Sequence, residues 1–415
     1  MQIFNELLAE IESIPTIDIS ANLHPDAPAA ANLSDIALSG EIQTELRAIG
    51  VSSEILENQN RKKALTEIVM HLPKISNTTT YWCLMQILSD LYTENGAIDN
   101  GNLDNLWAKV EQTAADPNWA TTVLDRAKVS KVFLNCDWNR KLPSASNMFA
   151  PVLRLDTLIN DSHMSKTLDK LGEVTEQPVY EVADLKKAIT GLFRKAREAG
   201  IVAVAASFEP MIDFEPGSRD AADRIISMAL LGQKANREDR KAIRSYVMDL
   251  VLAECAEHGM PFQLMLGLRR KPGEEYISAF EPSMLSMYTS LFSRHSQVKF
   301  DVITANETLA HELAVISRNY RNVYLSGYWM YLMFPTHIRK MIRERVEMLP
   351  MTKSCGFLSD ATCVEWVYGK SKLIRRELAF ALSQMISEGY ITRETALQVA
   401  RYYLYENPKR IYRID

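Results

Sequence analysis

The chain has 415 residues, of which 47% are hydrophobic and 24% are charged. Its 47 basic and 52 acidic side chains give a formal net charge of −5, which excludes an overall basic nucleic-acid binder. The composition also excludes a disordered, collagen-like or disulfide-stabilised chain. No apolar run reaches the roughly 18 to 20 residues that a membrane-spanning helix needs. We therefore expect neither a nucleic acid nor a membrane as a partner.

The amino terminus and the cysteines predict a cytoplasmic protein. The first residues lack the basic start and the long apolar stretch of a signal peptide. The five cysteines are an odd number, are widely spaced, and form no CxxC pair or zinc-type spacing with histidine. We expect reduced thiols, with Cys355 and Cys363 acting as small buried hydrophobic residues.

The first third of the chain is dominated by helical patterns. Residues 1–14 carry apolar side chains at helical spacing and predict a short helix. The apolar segment Ile17–Leu23 then predicts a first strand, which ends at Pro25. From residue 40 to residue 125, amphipathic helical stretches follow one another without a convincing strand.

After residue 128, short apolar runs alternate with amphipathic helices. Such alternation indicates a parallel sheet covered on both faces. Together with Ile17–Leu23 the runs make eight strands, which favour an α/β fold of the (β/α)8 TIM-barrel type over an open sheet. No GxGxxG or GxxxxGK[ST] loop follows any strand, which argues against a nucleotide site. The seven further runs are Lys131–Cys136, Val152–Leu155, Ile201–Phe208, Pro261–Gly267, Val298–Thr304, Asn322–Gly327 and Ser354–Ser359.

These patterns predict three parts of the chain. Residues 1–25 form the amino-terminal helix and the first barrel strand, residues 26–128 form a helical insertion, and residues 129–415 complete the barrel with carboxy-terminal helices. In a TIM barrel the active site lies at the carboxyl ends of the strands. The polar residues predicted there combine acids, cations and aromatics, which suits a small anionic ligand. The candidate site residues are Asn22, Arg154, Asp156, Arg270, Tyr328, Trp329 and Asp360.

Several segments carry a family resemblance. Strand eight ends in Ser359-Asp360-Ala361, and with a long helical insertion after strand one this resembles the amidohydrolase superfamily, within it the uronate (glucuronate) isomerase family. Ile17–Leu23 is similar to that family's Asp-x-His-x-His-Leu strand, and Val152–Asp156 to its Arg-x-Asp strand. Phe262–Gly267, Val323–Trp329 and the tail Asn407–Tyr412 resemble later elements in the same order. The resemblance implies an isomerase of carbohydrate metabolism that interconverts an aldose acid and a ketose acid.

The departures from the family pattern concern its metal site. The paired histidines of strand one are Ser20 and Asn22 here, and the strand-five histidine of many relatives falls at Met265. A hydroxyl and an amide are weak ligands for zinc compared with a neutral imidazole. His24 would restore an Asn-x-His pair, but Pro25 follows it and a loop position is expected. We therefore expect no metal site of the usual kind and no cofactor, leaving open a weakly bound divalent metal at Asp360.

Several candidates have both a functional and a structural interpretation. Asp360 suits a proton-transferring base, but an aspartate there also suits a cap for the following helix. Arg154 suits a carboxylate grip oriented by Asp156, but the two also suit an ion pair at the barrel mouth. Tyr328 and Trp329 suit a stacking wall for a sugar ring, with core packing as the alternative for Trp329. Arg270 is a second anion grip, and Asn22 completes the set predicted to contact substrate.

Three functions remain open at this stage. The first is an isomerase of a carboxylated sugar that works without tightly bound metal. The second is a metal-dependent hydrolase or decarboxylase in which Asp360 binds metal with His24, Asp18 or Asp137. The third is a catalytically silent barrel that serves as a binding or scaffold protein. Two further features stay open: a homo-oligomer, and a basic stretch that fits either a docking patch or a solvated helix face, made of Lys370, Lys372, Arg375 and Arg376.

Overall fold

A computed structural model describes residues 2–93, 97–208, 214–269 and 276–414. Its main sheet has eight strands that follow one another in chain order, as a (β/α)8 barrel requires. All eight predicted strands are present. They are β1 (Thr16–Ala21), β2 (Val129–Asp137), β3 (Phe149–Arg154), β4 (Ala203–Ser207), β5 (Phe262–Leu266), β8 (Phe300–Thr304), β9 (Val323–Ser326) and β10 (Ser354–Cys355). The short strands β6 (Leu268–Arg269) and β7 (Ile277–Ser278) form a separate antiparallel pair.

The first strand also pairs with the residues that follow β10. The amide of Ile19 donates to the carbonyl of Phe357 at 3.4 Å, and the amide of Asp360 donates to the carbonyl of Ser20 at 2.8 Å. The amide of Asn22 donates to the carbonyl of Ala361 at 2.7 Å. The eighth strand therefore changes partner along its length, from β9 at Ser354 and Cys355 to β1 further on, which explains why the predicted strand is longer than β10.

The helices fall into two series. Between residues 26 and 128, the described residues form helices and no strand. This matches the pattern seen in the sequence. The first series is α1 (Gln2–Ser13), α2 (Leu33–Ala37), α3 (Gly40–Ala48), α4 (Ser53–Leu56), α5 (Arg61–Ile68), α6 (Thr79–Leu91), α7 (Leu103–Ala114) and α8 (Trp119–Arg126).

Within the described ranges, no helix has the length and apolar character needed to cross a membrane.

The second series accompanies the barrel strands. The series is α9 (Asp156–Asn160), α10 (Ser165–Thr175), α11 (Val182–Glu198), α12 (Arg219–Leu230), α13 (Arg237–His258), α14 (Met284–Arg294), α15 (Glu307–Asn319), α16 (Pro335–Met348), α17 (Val364–Ser387), α18 (Arg393–Arg401) and α19 (Asn407–Tyr412).

Internal contacts divide the chain into two compact units. The first unit contains Met1–Leu134, Phe334–Arg339 and Phe357–Leu397. The second contains Asn135–Met333, Lys340–Gly356 and Gln398–Asp415. The core of the second unit is formed by apolar side chains of β3, β4, β5, β8 and β9 with the helices α9 to α15, including Phe262, Phe292 and Phe300.

Helix α17 is the central helix of the first unit, and its charged residues correct one sequence interpretation. Lys370 and Arg375 are only 6% and 3% exposed, so neither a docking patch nor a solvated face describes them. The Arg375 guanidinium donates to main-chain and side-chain oxygens that surround it, namely the carbonyls of Ile11, Ile14, Ala127 and Lys128 and the hydroxyl of Thr16. The cation therefore fastens α1, β1 and the end of α8 to α17.

Candidate active site at the carboxyl ends of the barrel strands

Asp360 lies in a left-handed turn at the end of the eighth strand, within the first unit. Its φ of 52° falls in a region that few residues other than glycine adopt, although aspartate tolerates it better than most. The turn places the carboxylate beside strand one, where Asn22 Nδ2 donates to Asp360 Oδ1 at 2.6 Å. Helix α17 begins at Val364 with Cys363 as its cap residue and without a side-chain capping bond. Asp360 does not cap this helix, so that alternative is wrong.

A buried carboxyl group lies behind this turn. Asp18 is 0% exposed, and its Oδ1 accepts hydrogen bonds from the amides of Ser359 at 2.9 Å and Ser20 at 3.2 Å. Its second oxygen has no hydrogen-bond partner among the described residues. Burial raises the pKa of Asp18 to about 7, although the hydrogen bonds from Ser359 and Ser20 oppose the shift. The aspartate therefore joins strand one to the segment that carries Asp360.

A buried cation contacts the same segment from the other side. Lys370 Nζ donates to the carbonyl of Ser359 at 2.8 Å and to Glu41 Oε1 at 2.6 Å. Burial opposes the charge of Lys370, but the carboxylates of Glu41 and Asp360 outweigh it, so the pKa of Lys370 is raised. The ammonium group therefore stays charged immediately behind the Asp360 turn. Sequence reasoning did not single out this role.

Arg154 and Asp156 form a second cluster, within the second unit. Arg154 Nε and Nη2 donate to the two carboxylate oxygens of Asp156 at 2.9 and 2.7 Å. The guanidinium also donates to Ser207 Oγ at 2.9 Å and to Met265 Sδ at 3.0 Å. Asp156 in turn accepts from the amide of Ser207 at 2.7 Å. The predicted Arg154–Asp156 pair is thus present as a bidentate ion pair at the ends of β3, β4 and β5.

The aromatic candidates of the second unit are largely covered. Tyr328 and Trp329, which follow β9, are 1% and 7% exposed. The Arg345 guanidinium lies 5.0 Å from the ring centre of Tyr328 and donates to the carbonyl of Gly327. Burial raises the pKa of Tyr328 to about 12, so the phenol stays neutral. The stacking role of both residues stays a prediction, and Arg270 lies outside the described residues.

The family model for glucuronate isomerase matches residues 5–412. The chain belongs to the glucuronate isomerase family. It is 19% identical over 440 residues to the uronate isomerase of Thermotoga neapolitana, which covers 98% of this chain and 96% of that protein. It is 20% identical over 400 residues to the uronate isomerase of Cutibacterium acnes, with 89% and 83% coverage.

Solved structures show the same fold. The uronate isomerase of Thermotoga maritima superposes with a TM-score of 0.89 at 16% identity, over 99% of this chain and 97% of that structure. The glucuronate isomerase of Caulobacter crescentus also superposes with a TM-score of 0.89 at 16% identity, over 100% of this chain and 94% of that structure. These findings confirm the predicted TIM barrel, the predicted uronate isomerase resemblance and the prediction that the protein is an isomerase.

The donor groups of this glucuronate isomerase family member do not fit a histidine-based zinc site. Ser20 is 0% exposed, the Asn22 amide donates to Asp360, and the Met265 sulfur accepts from Arg154. His24 lies beyond the end of β1 in an exposed loop, where its Nδ1 accepts from the Asp26 amide at 3.3 Å. Within the described ranges, no group of three or more His, Cys, Asp or Glu side chains is arranged to hold a metal ion.

Proposed function

We propose that this isomerase interconverts an aldose acid and a ketose acid by proton transfer, without a tightly bound metal. The observation that carries the proposal is the Asp360 turn, which presents a carboxylate at the end of a barrel strand. The Asn22 amide donates a hydrogen bond to one oxygen of this carboxylate. Catalytic acids and bases of TIM-barrel enzymes usually lie at this end of the barrel, and a carboxylate can serve as either. The family match gives the reaction class.

In this proposal Asp360 is the base that moves the proton. It removes the proton from the carbon that bears the hydroxyl group next to the carbonyl group, and it returns a proton to the former carbonyl carbon. The hydroxyl proton moves to the carbonyl oxygen, so the enediol becomes the ketose with no net gain or loss of atoms. The Asn22 amide keeps the carboxylate in place by its 2.6 Å hydrogen bond.

Arg154 is proposed to hold the carboxylate of the substrate. Its guanidinium has five N–H donors, and the contacts to Asp156, Ser207 and Met265 use four of them. Asp156 fixes the plane of the guanidinium through two bonds, which lowers the entropy lost when an anion binds. Tyr328, Trp329 and Arg270 are retained as proposed substrate contacts.

The proposal assigns no step to a metal ion, because the residues that replace the family's histidines are engaged elsewhere. A hydroxyl, an amide and a thioether stand at Ser20, Asn22 and Met265, and the last two are bound to Asp360 and Arg154. The protein's own N–H donors must therefore stabilise the negative charge that develops on oxygen. Catalysis should then be insensitive to chelators.

A proton NMR assay in D₂O tests the function directly. Purified protein is incubated with a panel of hexuronates that includes D-glucuronate, with and without EDTA, and with matching aldonates as substrates that cannot isomerise. We expect a ketose product carrying solvent deuterium at the carbon that accepts the proton, at equal rates in both samples. Asp360→Asn should lower the rate by about 100-fold or more, as for loss of a general base.

Two results would contradict the proposal separately. Absence of turnover on every hexuronate rejects the substrate class. Turnover that disappears with EDTA and returns with a stoichiometric divalent metal, measured by elemental analysis, rejects the metal-independent reaction and restores the metal-dependent alternative.

A further inference from the structure

We propose that Asp18 and Lys370 are positioning residues which hold the Ser359 peptide from both sides and thereby fix the direction of Asp360. The inference rests on the proposed role of Asp360 as the base. The contacts involved are called the Ser359 network below, and its members are Asp18, Ser20, Glu41, Ser359 and Lys370.

The network binds both polar groups of one residue. The Ser359 amide donates to Asp18 Oδ1 at 2.9 Å, and the Ser359 carbonyl accepts from Lys370 Nζ at 2.8 Å. The Ser359 hydroxyl accepts from the amide of Ala361 at 3.1 Å, on the far side of Asp360. The amide of Asp360 itself donates to the Ser20 carbonyl. The amides of Ser359, Asp360 and Ala361 and the carbonyl of Ser359 are therefore all hydrogen-bonded.

Such redundancy has a physical reason. A residue other than glycine in the left-handed region costs of order 1 to 3 kcal/mol, so it persists only where surrounding contacts impose it. Asp360 adopts a φ of 52°, and the contacts of Ser359 and Ser20 supply that constraint. Bonds from a charged group are stronger than neutral ones, which suits Lys370 to this task.

The network also connects the helical insertion to the candidate base. Glu41 belongs to α3, and its carboxylate pairs with Lys370 at 2.6 Å. Ser359, Asp18 and Lys370 are at most 6% exposed, so the ammonium has little access to water and needs Glu41 as its counter-charge. Lys372, two residues further along α17, instead pairs with Asp90 and is 31% exposed. It provides a matched control on the same helix.

The experiment combines hydrogen exchange with steady-state kinetics on the full chain. The variants are Lys370→Met, Asp18→Ala and, as controls, Lys372→Met and Asp18→Asn, the last of which keeps an acceptor oxygen. Exchange of the amides in residues 357–362 is measured by mass spectrometry, and kcat and KM are measured with the hexuronate that turns over best.

We expect Lys370→Met and Asp18→Ala to speed exchange in residues 357–362 by about 10-fold or more, as loss of about 1.4 kcal/mol of local stability would do. We expect kcat to fall by about 10- to 100-fold with KM changed little, because the base is displaced rather than the substrate contacts. Lys372→Met should change neither quantity, and Asp18→Asn should recover most of both.

The outcomes separate the two proposals. If Lys370→Met and Asp18→Ala match Lys372→Met in exchange and kcat, the positioning role is wrong. If the unmodified protein turns over no hexuronate, or Asp360→Asn stays fully active, the proposed function fails, while the exchange measurement still decides whether the network orders the turn. Should Lys370→Met not fold by circular dichroism, the double variant Glu41→Gln/Lys370→Met also removes the carboxylate that has lost its partner and gives the same test.

Discussion

Glu365 provides the sharpest test of how the helical insertion is held to the strand-eight helix. The residue lies in the first turn of α17 and is 0% exposed. Its carboxylate accepts from Tyr92 Oη at 2.8 Å, from Trp119 Nε1 at 2.9 Å and from the Ala30 amide at 3.0 Å. All three donors belong to residues 26–128. Glu365→Ala therefore removes three contacts between the insertion and α17 in one change.

The structure sets the size of the expected loss. A buried donor left without a partner costs about 1 to 3 kcal/mol, so three such donors cost roughly 3 to 9 kcal/mol. Removal of the buried charge recovers part of its desolvation cost, which moves the expectation to about 4 kcal/mol. That is a large part of the roughly 5 to 15 kcal/mol by which native proteins are stable. Glu365→Gln keeps one acceptor oxygen and should cost about half as much.

Equilibrium unfolding in urea at constant pH measures this loss. A double-mutant cycle adds the contact itself, because Tyr92→Phe should destabilise the original protein by about 1 kcal/mol or more but should cost little once Glu365 is alanine. A Glu365→Ala penalty below about 1 kcal/mol, or an unchanged cost of Tyr92→Phe in the two backgrounds, would refute the reasoning.

Three further predictions concern charged side chains. Asp18 has a folded pKa of about 7, above its unfolded value of about 3.9, so ionisation opposes folding. Between about pH 4 and 7 the protein should lose up to about 4 kcal/mol of stability relative to Asp18→Asn. Urea unfolding of both proteins at about pH 4 and pH 8 measures this loss, and an equal stability difference between them at both pH values would contradict the prediction. Arg375→Met should cost about 3 kcal/mol in the same assay, against less than about 0.5 kcal/mol for the exposed Lys170→Met. Arg154→Met should raise KM for a hexuronate by about 10- to 100-fold, and an unchanged KM would exclude its grip on the carboxylate.

Periodicity sufficed for the fold because each barrel strand is a near-continuous apolar run between amphipathic helices. All six residues of β1 are buried, and so are all five of β5 and of β8, as a sheet covered on both faces requires. The partners of a strand were harder to predict than its length. The sequence predicts an eighth strand that reaches Ser359, but its change of partner from β9 to β1 past Cys355 cannot be predicted from the local sequence, because β1 lies more than 330 residues away.

In the candidate site too, local contacts could be predicted from the sequence and long-range contacts could not. Arg154 and Asp156 are two residues apart on a strand end, so their pairing follows from local geometry and could be predicted. Lys370 could not, because its charge on α17 looks like that of Lys372, which is far more exposed. What distinguishes the two lysines is Glu41, 329 residues from Lys370, and a carbonyl group that any residue would supply.

The replacement of the family's histidines is best understood through the bonds that the replacements make. An imidazole that binds zinc must keep one nitrogen lone pair for the metal, which leaves only the other ring nitrogen for the protein. Asn22 uses its amide N–H to hold Asp360, and Met265 offers a sulfur lone pair to the Arg154 cation. Both side chains thus serve charged groups of the proposed reaction.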